Sequence, residues 1–239
     1  MHASRKTAIK LWSLAGPGAL CRMDAALTAR LRADDASAPL SLAWSLLIIA
    51  GMACFGAAVG VWCSPRQVLY GAVKMPLMLH AVAGLSVAAN TMLSWLLGGG
   101  LSLRQVRRCI LGALAVQALL LGSLAPVFLF FACQLPGPET PQADAVYRHL
   151  LTALVASVGA AGIIGYARLF RLLAAIAPDR LTAARVWFAW VLTTGLVGTQ
   201  CSWLLSPFVQ RPGAPVPFWN ASAFSGNFFE HVWLYILNR

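Results

Sequence analysis

Catalytic and metal sites draw on few residue types, and this chain holds six cysteines, four histidines and seven acids among 239 residues. Their spacing matches no established site. A zinc protease needs two histidines one helical turn apart with a glutamate beside the first, and a structural zinc site needs closely paired cysteines. Phosphate-cradling loops need glycines that let backbone amides approach an anion. None of these patterns occurs. Gly84-Leu85-Ser86 is not followed by the glycine of a nucleophile elbow. Glu230-His231 is the one adjacent acid–imidazole pair, and one pair does not make a metal site. The expectation is a protein with no catalytic residue, no cofactor and no metal.

Polar residues inside apolar runs are the next candidates. His80, Asn90, Gln117 and Gln200 each interrupt such a run and define a candidate polar path. The ordinary alternative is hydrogen bonding between helices, worth about 0.6 kcal/mol per contact on average. Lys74 stands near the end of a run, where its ammonium can snorkel to lipid headgroups. Gly56 and Gly60 form a GxxxG, and Ser157, Ala161 and Gly165 repeat the small-xxx-small spacing. Such spacing marks helix-packing faces, because small residues let two backbones approach closely. Val59, between the two glycines, is expected to face lipid. Cys63 and Cys133 fall at the same side and could pair in an oxidising compartment. Cys54, Cys109 and Cys201 read as small buried apolar residues.

The elements that must position these residues follow from composition. The chain is 59% hydrophobic and only 10% charged, with a mean hydropathy of +0.73. A soluble domain is usually about 25% charged, so this surface cannot face water throughout. Crossing the ~30 Å hydrocarbon core takes about 20 mostly apolar residues. Five stretches qualify: Leu42 to Trp62, Met75 to Leu97, Ile110 to Ala132, Leu150 to Tyr166, and Val186 to Leu205. The predicted fold is all-α, a polytopic transmembrane bundle of about five spans. It divides into a basic N-terminal segment (1–41), the bundle (42–206) and an outward tail rich in proline and aromatics (207–239).

The net charge of +11 raises nucleic acid as a partner, but the cations sort by loop. Thirteen of the 18 basic residues lie in the N-terminal segment and in the second and fourth connections. By the positive-inside rule that side is cytoplasmic, which puts the N-terminus inside and the C-terminus outside a bacterial inner membrane. The expected partners are the lipid bilayer and other membrane subunits or a second copy, not nucleic acid. The N-terminal segment reads as uncleaved and amphipathic, lying on the inner leaflet. In the tail, Pro207, Pro212, Pro215 and Pro217 break helix formation. Phe228 to Leu237 is too short to cross and reads as an interfacial helix, with Trp219, Phe228, Phe229 and Trp233 as candidate partner contacts.

Two segments carry a resemblance. One is Ser64-Pro65-Arg66-Gln67-Val68-Leu69-Tyr70-Gly71-Ala72-Val73-Lys74-Met75-Pro76-Leu77. The other runs from Ser202-Trp203-Leu204-Leu205-Ser206-Pro207-Phe208 through Pro212 and Pro215 to Gly226-Asn227-Phe228-Phe229-Glu230. Together they resemble a family of small bacterial multi-pass membrane proteins, over Leu42 to Leu237. The five-span layout is also similar to Yip1-type proteins, in topology alone. Neither resemblance implies catalytic residues. The expected function is a non-enzymatic protein that scaffolds or assembles a membrane complex. The alternative is a small channel or transporter that uses the polar residues of spans two, three and five.

Overall fold

The structure, a computed structural model, describes residues 38–214 and 217–219, with Gly18, Ala29 and Glu230 as single positions. Among the described residues the long elements are five α-helices: α1 (Ala38–Gly60), α2 (Pro65–Leu96), α3 (Leu103–Gln134), α4 (Ala143–Ile176) and α5 (Arg180–Leu205). All five are long and apolar enough to cross a membrane. The chain is therefore a multi-pass helical bundle. Of the N-terminal segment expected over 1–41, residues 38–41 belong to α1 and the rest, apart from Gly18 and Ala29, lies outside the described residues, as does the interfacial helix expected over Phe228 to Leu237 apart from Glu230.

The helices are longer than the apolar runs within them, and three of them begin at a side-chain cap ahead of the run. Ser64 accepts a bond from the Gln67 amide, and Pro65 occupies the first turn of α2, where a missing N–H costs nothing. The helix thus starts ten residues before Met75 and includes Arg66, Gln67 and Lys74. Ser102 and Gln105 form a reciprocal capping box at the start of α3. Asp179 caps α5 by accepting from the Leu181 and Thr182 amides, both at 2.9 Å. Pro76 and Pro126 sit inside α2 and α3, which continue through them.

α1 lies in the crevice between α2 and α3. α4 packs on α3, α5 packs on α2, and α4 meets α5 to close the bundle. The central position of α1 follows from its sequence. Trp44, Ile48, Met52 and Phe55 recur every three or four residues, and all are fully buried. Where it crosses α2 and α3 it carries glycines. Gly56 meets Gly71 of α2 so closely that a Cβ on either would overlap the other's carbonyl oxygen. A Cβ at Gly60 would lie 2.6 Å from the Gln67 carbonyl oxygen, and one at Gly51 would lie 2.5 Å from that of Ala118. Carbon at such distances is inside van der Waals contact, so no side chain fits without moving a helix.

On α4, a Cβ at Gly165 would meet the Ala113 carbonyl oxygen at 2.9 Å. Ala161 is buried beside it, while Ser157 is half-buried. Val59 departs from its expectation: it is 4% exposed and belongs to the core. Cys54 departs in the opposite sense and is exposed. The reason is one of angle. α1 is buried on two sides at once, so its lipid-facing arc is narrow and passes through Ile49 rather than Val59. α4 and α5 are peripheral, and Val155, Ile163, Leu192 and Leu196 point outward as lipid-facing apolar side chains.

Candidate functional site

The most elaborate polar arrangement stands where α2 meets the segment after α5. Gln67 and Lys74 are two turns apart on α2 and therefore share a face. Gln67 Nε2 donates to the carbonyl oxygens of Pro207 at 3.3 Å and Phe208 at 2.8 Å. Lys74 Nζ donates to those of Pro207 at 3.1 Å and Pro217 at 3.2 Å. The Tyr70 and Phe218 rings flank the same ammonium, with centroids at 5.7 and 5.4 Å, within cation–π range. Lys74 does not snorkel outward: it is fully buried. A proline-rich strap leaves carbonyls that no regular ladder satisfies, and an ammonium brings three donors to them.

Two side chains thus hold the strap against the bundle. Val209 of the strap is itself buried in the core, and Phe208 packs against it. Phe218 stacks edge-on against Tyr70 at 5.2 Å. Trp219, next along, is 61% exposed. Phe228, Phe229 and Trp233 lie outside the described residues.

The four residues of the candidate polar path separate into different surroundings. Asn90 of α2 is fully buried, and its Nδ2 donates to Thr194 Oγ1 of α5 at 3.1 Å. Its backbone carbonyl accepts from Trp190 Nε1 at 2.8 Å. The Tyr166 side chain of α4 lines a small cavity with Thr194, and Trp187 Nε1 ties the Tyr166 carbonyl to α5 at 2.7 Å. Gln117 of α3 lines a cavity of about 10 Å³ with Tyr166 and Thr194. One interior cluster therefore draws a polar residue from each of α2, α3, α4 and α5.

His80 is elsewhere. Its Nδ1 lies 2.9 Å from the Pro76 carbonyl oxygen, and the side chain lines an outer groove between α1, α2 and α3. Gln200 is half-buried on α5, away from the residues that line the interior cavity. Several other hydroxyls turn back on their own helices. Thr91 donates to the Val87 carbonyl, Thr193 to that of Ala189 and Ser123 to that of Leu120. A hydroxyl in an apolar helix satisfies itself this way without a neighbour.

Cys63 and Cys133 are both free thiols. Cys63 sits in the turn between α1 and α2, with its sulfur 3.9 Å from the Gln210 carbonyl oxygen of the strap region. Burial there pushes its thiol above the ordinary range. Among the described residues, no group of three or more His, Cys, Asp or Glu is placed to hold a metal ion.

Sequence reasoning missed Gln67, Tyr166 and the glycines at 51, 71 and 122. Ala118 and Gly122, four apart on α3, carry the small-xxx-small signal that would have found the Gly51 contact. Gln67 and Tyr166 carry no such signal, since each gains its role from a partner far along the chain. Comparison with family models, curated proteins and solved structures found no match.

Proposed function

We propose that this chain is a non-enzymatic integral membrane protein that scaffolds or assembles a membrane complex. Its proposed seat is a bacterial inner membrane, with the arginine-bearing loops and N-terminus on the cytoplasmic side and the strap outside. The observation that carries this reading is the state of the interior polar groups. Asn90 bonds to Thr194 and Trp190, Trp187 bonds to the Tyr166 carbonyl, and the space lined by Gln117, Tyr166 and Thr194 is about 10 Å³, room for about one water. A conduction path needs polar groups that exchange partners with a passing solute along a continuous route. These groups instead fasten α2, α4 and α5 to each other. Outside the bundle, the anchored strap presents Trp219 at the surface, and exposed aromatic residues on a rigid support suit a protein contact.

The test is purification of the full chain in mild detergent, with bound proteins identified by mass spectrometry. Stoichiometric partners that are lost from Trp219→Ala while insertion is normal support the assembly reading. A chain that purifies alone and passes ions or small solutes when reconstituted in vesicles overturns it in favour of a channel or transporter. Reporter fusions after Arg107 and Arg180 should read cytoplasmic, and one after Asp144 should read outside; the reverse pattern overturns the orientation.

A further inference from the structure

A groove of about 570 Å³ opens on the flank of the bundle between the first turns of α1, the middle of α2 and the second turn of α3. Its polar wall is Ser41, Ser45, His80 and Arg107, and its apolar wall includes Leu42 and Leu111. Two polar atoms in that wall, Ser41 Oγ and His80 Nε2, are enclosed without a hydrogen-bond partner among the described residues. Arg107 is exposed at the same place. Arg107 is four residues from the start of α3, about 6 Å along its axis, and Ser41 is equally near the start of α1. The groove therefore stands at the end of the bundle where Arg104, Arg107, Arg108, Arg180 and Arg185 gather, at headgroup depth for a spanning helix.

We propose that this groove is a specific binding site for one anionic phospholipid. A phosphate oxygen accepts from the Arg107 guanidinium and from the Ser41 hydroxyl, giving the latter the acceptor it lacks. An acyl chain then runs down the wall past Leu42 and Leu111, where burial against apolar side chains replaces contact with bulk lipid. A soluble protein segment does not fit as well, because the lower part of the groove faces hydrocarbon and would orphan its backbone groups. The groove shares no lining residue with the strap or with the interior polar cluster, so it stands independently of the assembly reading.

The experiment is native mass spectrometry of the full chain released from nanodiscs containing equal phosphatidylglycerol and phosphatidylcholine. The wild type is expected to retain one phosphatidylglycerol in preference to phosphatidylcholine. Arg107→Gln should reduce that preference about fivefold, the factor expected for one cation near anionic headgroups. Arg104→Gln removes the same charge from the same turn, outside the groove, and should leave the preference intact. Ser45→Leu keeps every charge and fills the groove, so it should abolish retention while the helical content stays unchanged. Equal retention of the two lipids overturns the proposal, as does equal loss from both arginine variants or full retention by Ser45→Leu. Displacement of the lipid by millimolar inorganic phosphate also overturns it, marking a small-anion site.

Discussion

Lys74 Nζ lies 3.1 Å from the carbonyl oxygen of Pro207, across 133 residues of sequence. That contact, doubled by Gln67 on the same oxygen, turns a segment whose prolines forbid helix into a fixed part of the bundle. It also hides Cys63, whose sulfur faces the Gln210 carbonyl just beyond.

Lys74→Met should therefore loosen the strap. It removes charged hydrogen bonds of about 1.5–3 kcal/mol each in gross terms, offset in part by the relief of a buried charge. The readout is alkylation of Cys63. The thiolate is the reactive form, and burial holds this thiol above its ordinary range. Wild-type labelling should be slow at neutral pH and accelerate only as pH rises through that raised value. In Lys74→Met, and more so with Gln67→Leu added, the profile should shift to lower pH and the neutral rate should increase. An unchanged profile in the double variant would show that the strap is held by other contacts.

Gly56→Ala should destabilise the bundle by more than the usual 1–3 kcal/mol of an overpacked core, since the new methyl falls on the Gly71 backbone and not on a movable side chain. Gly60→Ala should behave similarly against Gln67. Ala50→Leu, on the exposed arc of the same helix, is the control and should leave the melting temperature within a degree or two, consistent with the small effects of surface changes. Equal melting temperatures for all three would refute the close α1–α2 crossing.

The Asn90–Thr194 bond can be isolated by a double-mutant cycle with Asn90→Leu and Thr194→Val, scored by unfolding in detergent. A coupling of about 0.6 kcal/mol, and no more than about 1.7, is expected for a hydrogen bond between membrane helices. Additive single effects would mean that the two side chains do not act on each other in the folded bundle.

Asp179 predicts a pH dependence at the start of α5. The Thr182 hydroxyl and amide hold its carboxyl below the usual carboxylate value, with the Leu181 amide and Arg185 assisting. A carboxylate depressed by folding contributes stability above its unfolded value of about 4, and that contribution is lost as pH falls through the lower folded value. Asp179→Ala should thus melt earlier than wild type at pH 7, with the gap closing as the solution is acidified below about pH 4. A gap that persists unchanged at low pH would assign the effect to something other than the charged cap.

The sequence by itself determined the class of this protein and marked five runs long enough to span, each of which lies in a long helix among the described residues. Apolar runs of about 20 residues have one stable solution in hydrocarbon, where every backbone group must bond within its own helix. It also marked Gly56 and Gly60, because close packing leaves a spacing within a single helix. The tertiary structure decided which polar groups meet. His80 and Asn90 are ten residues apart on α2, yet one faces an outer groove and the other a buried partner on α5. Lys74, readable as a headgroup anchor, is instead enclosed by carbonyls from a segment more than 130 residues away. Both outcomes depend on how far each helix is rotated and which neighbour it takes. Those choices are settled by packing across the whole bundle, so no local pattern of residues records them.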